Sequence, residues 1–122
     1  MSFQDIGLLS LTEIIGDYGF KQFANNGGIN NFAIGIFGYI GVIWFLIRSL
    51  QGSTILLVNN AWDGMSTLIE SLFAFFILNE RLDDITQYFG IVFIIVGLFL
   101  LKLPLKRTKS FVFPFFTQKE RK

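Results

Sequence analysis

The sequence predicts an all-α protein, a bundle of four transmembrane helices with both termini on the same side of the membrane. Of its 122 residues, 52% are hydrophobic and only 16% are charged, whereas soluble domains carry about 25% charged residues. The apolar residues form four stretches, each close to the roughly 20 residues that a helix needs to cross a bilayer. These stretches do not alternate apolar with polar residues, which disfavours a β-barrel.

The four stretches form one predicted domain over residues 1–104. The second and fourth have uncharged cores, the third carries two acids, and the first is the least apolar because two acids interrupt it. Turn-forming residues such as Asn25-Asn26-Gly27-Gly28 separate the segments. The predicted helices are residues 4–22, 30–50, 54–78 and 85–104.

The C-terminal tail, residues 105–122, combines basic residues with the run Phe111-Val112-Phe113-Pro114-Phe115-Phe116. Aromatic side chains beside lysines are typical of an anchor at the membrane interface. A disordered tail that folds onto a partner is the alternative.

The basic residues predict the orientation of the bundle. An even number of spans places both termini on one side, together with the connection between the second and third helices. That side holds eight Lys and Arg residues, and the opposite side holds Lys21 and Arg81. Because basic residues concentrate on the cytoplasmic side, we expect both termini in the cytoplasm. The eight are Arg48, Lys102, Lys106, Arg107, Lys109, Lys119, Arg121 and Lys122.

Acidic residues inside the predicted spans are the main candidates for function, because each costs at least ~2.5 kcal/mol to insert. Glu13 and Asp17 are four residues apart and share a face of the first helix. Lys21 continues that face, where it can extend to the interface or pair with Asp17. On the third helix a polar stripe recurs every three or four residues. The stripe consists of Asn59, Asp63, Ser66 and Glu70.

These polar faces support two interpretations. In the first they line a hydrated pathway that binds protons and a cation in turn, and Tyr39, Trp44 and Trp62 hold an organic cation against their π faces. In the second they only join helices through hydrogen bonds. We expect Glu13 to be functional, because an isolated carboxylate is a costly structural link. For the two acids of the third helix both interpretations stay open.

Glycines mark two predicted packing surfaces. Gly35, Gly38 and Gly41 are spaced three apart, and small residues at such spacing predict the close approach of another helix. Gly90 and Gly97 share one face of the fourth helix. They indicate either an oligomer contact or packing within the chain.

Several kinds of chemistry are excluded. The chain contains no Cys and no His, which removes disulfides, thiolate or imidazole metal ligands and Ser-His catalysis. It also lacks a glycine-rich phosphate loop with a following Lys and a nucleophile elbow. We therefore expect no enzymatic activity, no metal or cofactor, and no nucleic-acid partner.

Five short segments follow one another at a recognisable spacing. They are Leu11-Thr12-Glu13-Ile14-Ile15-Gly16 with Lys21-Gln22-Phe23, Tyr39 with Trp44, Ala61-Trp62-Asp63-Gly64, Asn79-Glu80-Arg81-Leu82-Asp83, and Gly90 with Gly97. Together these segments, over roughly residues 5–104, resemble the small multidrug resistance transporters of the drug/metabolite transporter superfamily.

The resemblance implies a protein that exchanges protons for hydrophobic cations as an antiparallel dimer. It implies that Glu13 is the coupling carboxylate, that Tyr39 and Trp62 line the substrate chamber, and that Gly90 and Gly97 form the dimer contact. The candidate proton- and substrate-binding residues are thus Glu13, Tyr39, Trp62 and Asp63, with Asp17, Asn59, Ser66 and Glu70 as a secondary polar stripe.

The chain also departs from the family pattern. Asn59 stands where the family has a chamber tyrosine, and Ser66 where it has a glycine at a helix kink. The additional acids Asp17, Asp63 and Glu70 favour a more polar or multiply charged ligand than a lipophilic drug. The asymmetry of the basic residues favours a single orientation, and so a parallel pair or a different, oppositely oriented partner.

The sequence therefore predicts a proton-coupled exporter of cationic or polar small molecules, working by alternating access in a lipid bilayer as a homodimer or heteromer. The alternative is a structural membrane subunit that uses a transporter-like fold as a scaffold in a larger complex or an enveloped particle. The departures from the family pattern, the single orientation and the Phe-rich tail favour this alternative.

Overall fold

The computed structural model describes residues 1–105 and 111–114. Over these residues the chain forms four α-helices and no β-strand, which confirms the predicted all-α class. Most of the predicted basic residues of the tail, together with Phe115 and Phe116, lie outside the described residues. The helices are α1 (Phe3–Asn26), α2 (Ile29–Leu50), α3 (Ile55–Phe76) and α4 (Ile85–Leu101).

Helix α1 is longer than predicted at its C-terminal end. Ser2 caps its start, accepting a hydrogen bond from the Asp5 N–H at 3.2 Å. The helix continues through Lys21 and ends at Gly27, whose φ of 70° lies in the left-handed region that favours glycine. The helix therefore extends four residues beyond the predicted end at residue 22.

Helix α4 is shorter than predicted. A capping box of Asp84 and Gln87 fixes its start. It ends at Leu101, because Lys102 adopts a left-handed conformation with φ 53° and Pro104 has no N–H to continue the helix. Helix α3 likewise ends at Phe76, two residues before the predicted end.

Helix α1 lies at the centre of the bundle, between α2 and α3, while α4 packs only on α3. Helices α1 and α2 touch through their backbones. A Cβ added to Gly38 would lie 2.3 Å from the Gly16 nitrogen, and one added to Gly19 would lie 2.5 Å from the Gly35 nitrogen. The close approach predicted from the α2 glycines is therefore confirmed, and its partner is α1.

The buried core is small and α4 contributes no buried residue to it. Large apolar side chains cover the outside of the bundle; Phe93, for example, is 74% exposed and Phe99 is 79% exposed. Of the described helices, α2 is long and apolar enough to cross a membrane, and α4 is apolar but spans only 17 residues. The core consists of Ile6, Leu9, Val42, Val58, Ala61 and Met65.

Candidate cation site between α1 and α3

The centre of the candidate site is the carboxylate of Glu13 on α1. It accepts a hydrogen bond from the Ser66 hydroxyl of α3, although the two residues are 53 positions apart in sequence. Ser66 is buried, and Glu13 is partly buried. The contact joins the central helix to its neighbour at a polar position rather than an apolar one.

Asp17 lies one turn further along α1, and a residue of α2 donates a hydrogen bond to it. The Tyr39 hydroxyl of α2 donates a hydrogen bond to the Asp17 carboxylate. The Tyr39 ring reaches Asp17 across Gly16, where an added Cβ would lie only 2.4 Å from the ring. A side chain at Gly16 would therefore displace the tyrosine, and the glycine makes this contact possible.

Glu70 of α3 completes a cluster of three acids. The carboxyl oxygens of Glu13, Asp17 and Glu70 lie within 4.8 Å of one another, and all three residues are partly buried. One Glu70 oxygen, Oε1, is buried with no hydrogen-bond partner in the described part of the chain. Carboxylates this close repel one another when ionised, so bound protons or a bound cation would stabilise the acid cluster.

A cavity of about 220 Å³ adjoins the acid cluster, and Asp17 and Glu70 lie in its wall. Lys21 and Glu80 also line this cavity and form an ion pair with each other. Lys21 was expected to extend to the interface or to pair with Asp17. Its partner is Glu80 because the loop after α3 folds back towards the C-terminal half of α1.

A second cavity, of about 370 Å³, lies between α3, α4 and their connecting loop. Glu70 and Glu80 line both cavities. Arg81 closes one edge of the second cavity, with its guanidinium 3.7 Å from the centre of the Phe75 ring and an N–H donated to the Phe75 carbonyl at 2.7 Å. The acid cluster therefore has open space on the side of the α3–α4 loop.

Asn59, Asp63 and Trp44 are not part of the acid cluster, whereas Trp62 lies beside Glu13. Asn59 and Asp63 are exposed, and Asp63 lines a third cavity, between α3 and α4, together with Gly97. Trp44 contacts the tail segment at the opposite end of the bundle. Trp62 is partly buried. The structure thus divides the predicted α3 stripe, with Ser66 and Glu70 near the acids of α1 and the two earlier residues away from them.

The sequence did not predict the ion pairs of two acidic residues, Glu80 and Asp5. Glu80 was predicted as part of a charged loop, and nothing in the sequence indicates that it meets Lys21. Asp5 was not singled out, yet it is 1% exposed and bound to Arg48. An acid in the first turn of a helix is common, so its position alone carried no signal.

Comparison of the chain with protein-family models, with curated proteins and with solved structures finds no match.

Proposed function

We propose that this protein is a four-span integral membrane protein that exports cationic or polar small molecules in exchange for protons, by alternating access, with both termini in the cytoplasm. The observation that carries the proposal is the acid cluster: Glu13, Asp17 and Glu70 bring their carboxyl oxygens within 4.8 Å of one another between helices with an apolar outer surface. Charged groups in such surroundings are costly and mark ion or proton pathways.

Each residue of the site has a role in this proposal. Glu13 is the coupling carboxylate, which holds either a proton or the cationic ligand. Ser66 orients it by donating a hydrogen bond, and Tyr39 does the same for Asp17. Trp62 supplies an aromatic wall, which attracts organic cations through its π face.

The number of acids defines the proposed substrate class. With Asp17 and Glu70 beside Glu13, the cluster can compensate more than one positive charge. We therefore expect guanidinium-like or polyamine ligands to bind better than a bulky monovalent cation, because their N–H groups donate hydrogen bonds to carboxylates. The unpartnered Oε1 of Glu70 is an available acceptor for such a group.

The proposed unit is a homodimer or a heteromer, which the resemblance to the small multidrug resistance transporters supports. Among the four described helices, α4 contacts α3 alone, and a Cβ at Gly90 or Gly97 would meet no atom of the described residues within 4 Å. Packing against other described parts of the chain therefore does not explain these glycines. A second membrane helix would find a smooth surface there.

The proposal is tested by measuring proton release when a ligand is added to the purified protein in weakly buffered detergent. Guanidinium, a polyamine and a quaternary ammonium dye are the probes. Wild type should release protons, the Glu13→Gln variant should not, and Asp83→Asn, which changes an exposed loop acid, should behave as wild type. The mechanism would be refuted if folded wild type released no protons with any probe, or if the Glu13→Gln variant released as many protons as wild type.

A structural membrane subunit is the second candidate, and the exposed apolar surface of α4 favours it. Phe89, Phe93 and Phe99 are all more than half exposed, and a partner subunit could cover them. Stoichiometry after mild detergent extraction separates the two proposals. A dimer of this chain favours the exporter, whereas one copy bound to unrelated subunits favours the scaffold.

A further inference from the structure

We propose that Trp44, Arg48 and Gln51 form a docking site for an extended Phe-X-Phe peptide segment, and that residues 111–113 of the same chain are its resident ligand. The site lies on the C-terminal half of α2, and it does not depend on the exporter proposal. Trp44 and Arg48 are four residues apart and share one face of α2, and Gln51 is the C-cap residue that follows the helix. We call this surface the α2 dock.

Gln51 binds the peptide backbone of the segment. Its side-chain Nε2 donates to the Val112 carbonyl at 2.7 Å, and its Oε1 accepts from the Val112 N–H at 3.4 Å. A residue in a β-ladder is bound through its N–H and C=O in the same way. Both of these hydrogen bonds are to the backbone of Val112, so they do not depend on the identity of its side chain.

Trp44 binds the two phenylalanines that flank Val112. The Phe113 ring stacks on it, with ring centres 5.2 Å apart and planes inclined by 11°, and the Phe111 ring meets it edge-on at 5.5 Å. One indole thus contacts both rings. Such pairs contribute about 0.5–1.5 kcal/mol each beyond buried area.

Arg48 connects the α2 dock to the start of α1. Its guanidinium lies 5.8 Å from the centre of the Phe111 ring, and its Nε donates to the buried Asp5 carboxylate at 2.9 Å. The cation is therefore held in position for a cation–π contact. Since Arg48 serves both contacts, docking of the segment is physically linked to the first turn of α1.

The segment of residues 111–113 is tethered close to the α2 dock. The Phe3 N–H donates to the Pro104 carbonyl at 2.6 Å, and the Gln4 N–H donates to the Leu105 carbonyl at 3.3 Å. The tail is thus fixed beside α1 until residue 105 and needs only five more residues to reach Phe111. A short linker gives a tethered segment an effective concentration in the millimolar range.

These contacts favour docking on the protein over anchoring in lipid. An interfacial anchor turns its aromatic side chains towards the headgroups and acyl chains, whereas here Phe113 stacks on Trp44 and the backbone of Val112 is bound by an amide. Binding in trans is the direct test, because a lipid anchor would show no preference for the α2 dock.

The experiment uses the full-length chain carrying Phe111→Ala and Phe113→Ala, which keeps α2 intact and empties the α2 dock. A fluorescent peptide of residues 109–114, Lys-Ser-Phe-Val-Phe-Pro, is titrated against this variant and against wild type in the same detergent. We expect saturable binding to the variant and about tenfold or more weaker binding to wild type, where the tethered segment competes.

Two controls make the result specific. Adding Gln51→Ala to the variant should weaken peptide binding at least about fivefold, the loss of one hydrogen bond of about 1 kcal/mol, whereas adding Gln22→Ala should not. A peptide with both phenylalanines replaced by alanine should not bind. Equal peptide binding to wild type and variant, insensitivity to Gln51→Ala, or binding that requires anionic lipid vesicles would overturn the proposal, the last identifying the tail as a membrane anchor.

Discussion

Arg48 of α2 donates a hydrogen bond through Nε to the carboxylate of Asp5 in the first turn of α1, at 2.9 Å. Asp5 is 1% exposed and the Arg48 side chain 35%. Replacing Arg48 by Met removes this partner from a buried charge and should lower the free energy of unfolding by about 1.5–3 kcal/mol, the range for hydrogen bonds to charged groups.

Thermal or SDS unfolding of the Arg48→Met variant measures this loss. The double variant with Asp5→Leu should recover most of it, because a buried ion pair replaced by apolar residues is often neutral. A double variant that is less stable than the single one would show that Asp5 has a stronger role elsewhere.

The contact between α1 and α2 predicts opposite effects of alanine at two glycines. A Cβ at Gly38 would lie 2.3 Å from the Gly16 backbone, so Gly38→Ala forces the helices apart and should cost about 1–3 kcal/mol. A Cβ at Gly7 meets no atom within 4 Å, so Gly7→Ala should stabilise α1 by up to about 1 kcal/mol. Measuring the unfolding of both variants in the same detergent gives the sign of each change in stability. Equal changes for Gly38→Ala and Gly7→Ala would contradict the close packing of α1 and α2.

Under the exporter proposal, cation binding should strengthen as pH rises. A proton on Glu13 competes with the cation, so raising the pH removes the competitor. Exchange of one proton per ligand changes the apparent Kd by up to tenfold per pH unit. Calorimetric titration of a polyamine at pH 6, 7 and 8 measures this slope. Glu13→Gln should flatten it, and a wild-type Kd that is independent of pH would argue against proton exchange.

Removing the Tyr39 hydroxyl tests whether its hydrogen bond to the Asp17 carboxylate stabilises the fold. Tyr39→Phe keeps the ring against Gly16 but deletes the donor to the Asp17 carboxylate. We expect a loss of about 1.5–3 kcal/mol of stability, as for other hydrogen bonds to charged groups. Tyr18→Phe is the matched control because Tyr18 is 40% exposed and should change stability little. Equal stability of the two variants would show that the hydroxyl does not hold Asp17.

The glycines of α4 predict an effect on assembly without an effect on the fold. A Cβ at Gly90 or Gly97 meets no described atom within 4 Å, so we expect the single chain of the Gly90→Leu and Gly97→Leu variants to fold as before. A homodimer formed through this face should dissociate, as measured by mass in detergent. Gly7→Leu, at another open glycine, controls for added bulk, and a dimer that persists in the α4 variants would place the contact elsewhere.

The sequence predicted local features of this protein well. Helical class and number follow from the apolar stretches and turns, and the four-residue spacing of Glu13 and Asp17 places both on one face. The close approach of α2 follows from its glycines, because only residues without Cβ allow two backbones to touch.

Polar faces on the first and third helices predict that the two helices meet there, but not which residues of the α3 stripe meet the acids of α1. Ser66 and Glu70 meet the acids of α1 while Asn59 and Asp63 stay exposed, although all four recur at the same spacing. Their separation depends on how α1 crosses α3, which helical periodicity does not contain. The docking of Phe111 on α2 similarly depends on where the tail leaves α4.

The central position of α1 has a consequence for biosynthesis. This helix is made before the other three described helices, so the groups that satisfy its acids come later: Tyr39 follows Asp17 by 22 residues, and Ser66 follows Glu13 by 53. Once α2 has been made, Tyr39 can bind Asp17, but Glu13 lacks its Ser66 partner until α3 has been synthesised. Under the exporter proposal, we therefore expect α1 to settle between its neighbours only after α3 leaves the ribosome, so that membrane insertion of α1 depends on α3.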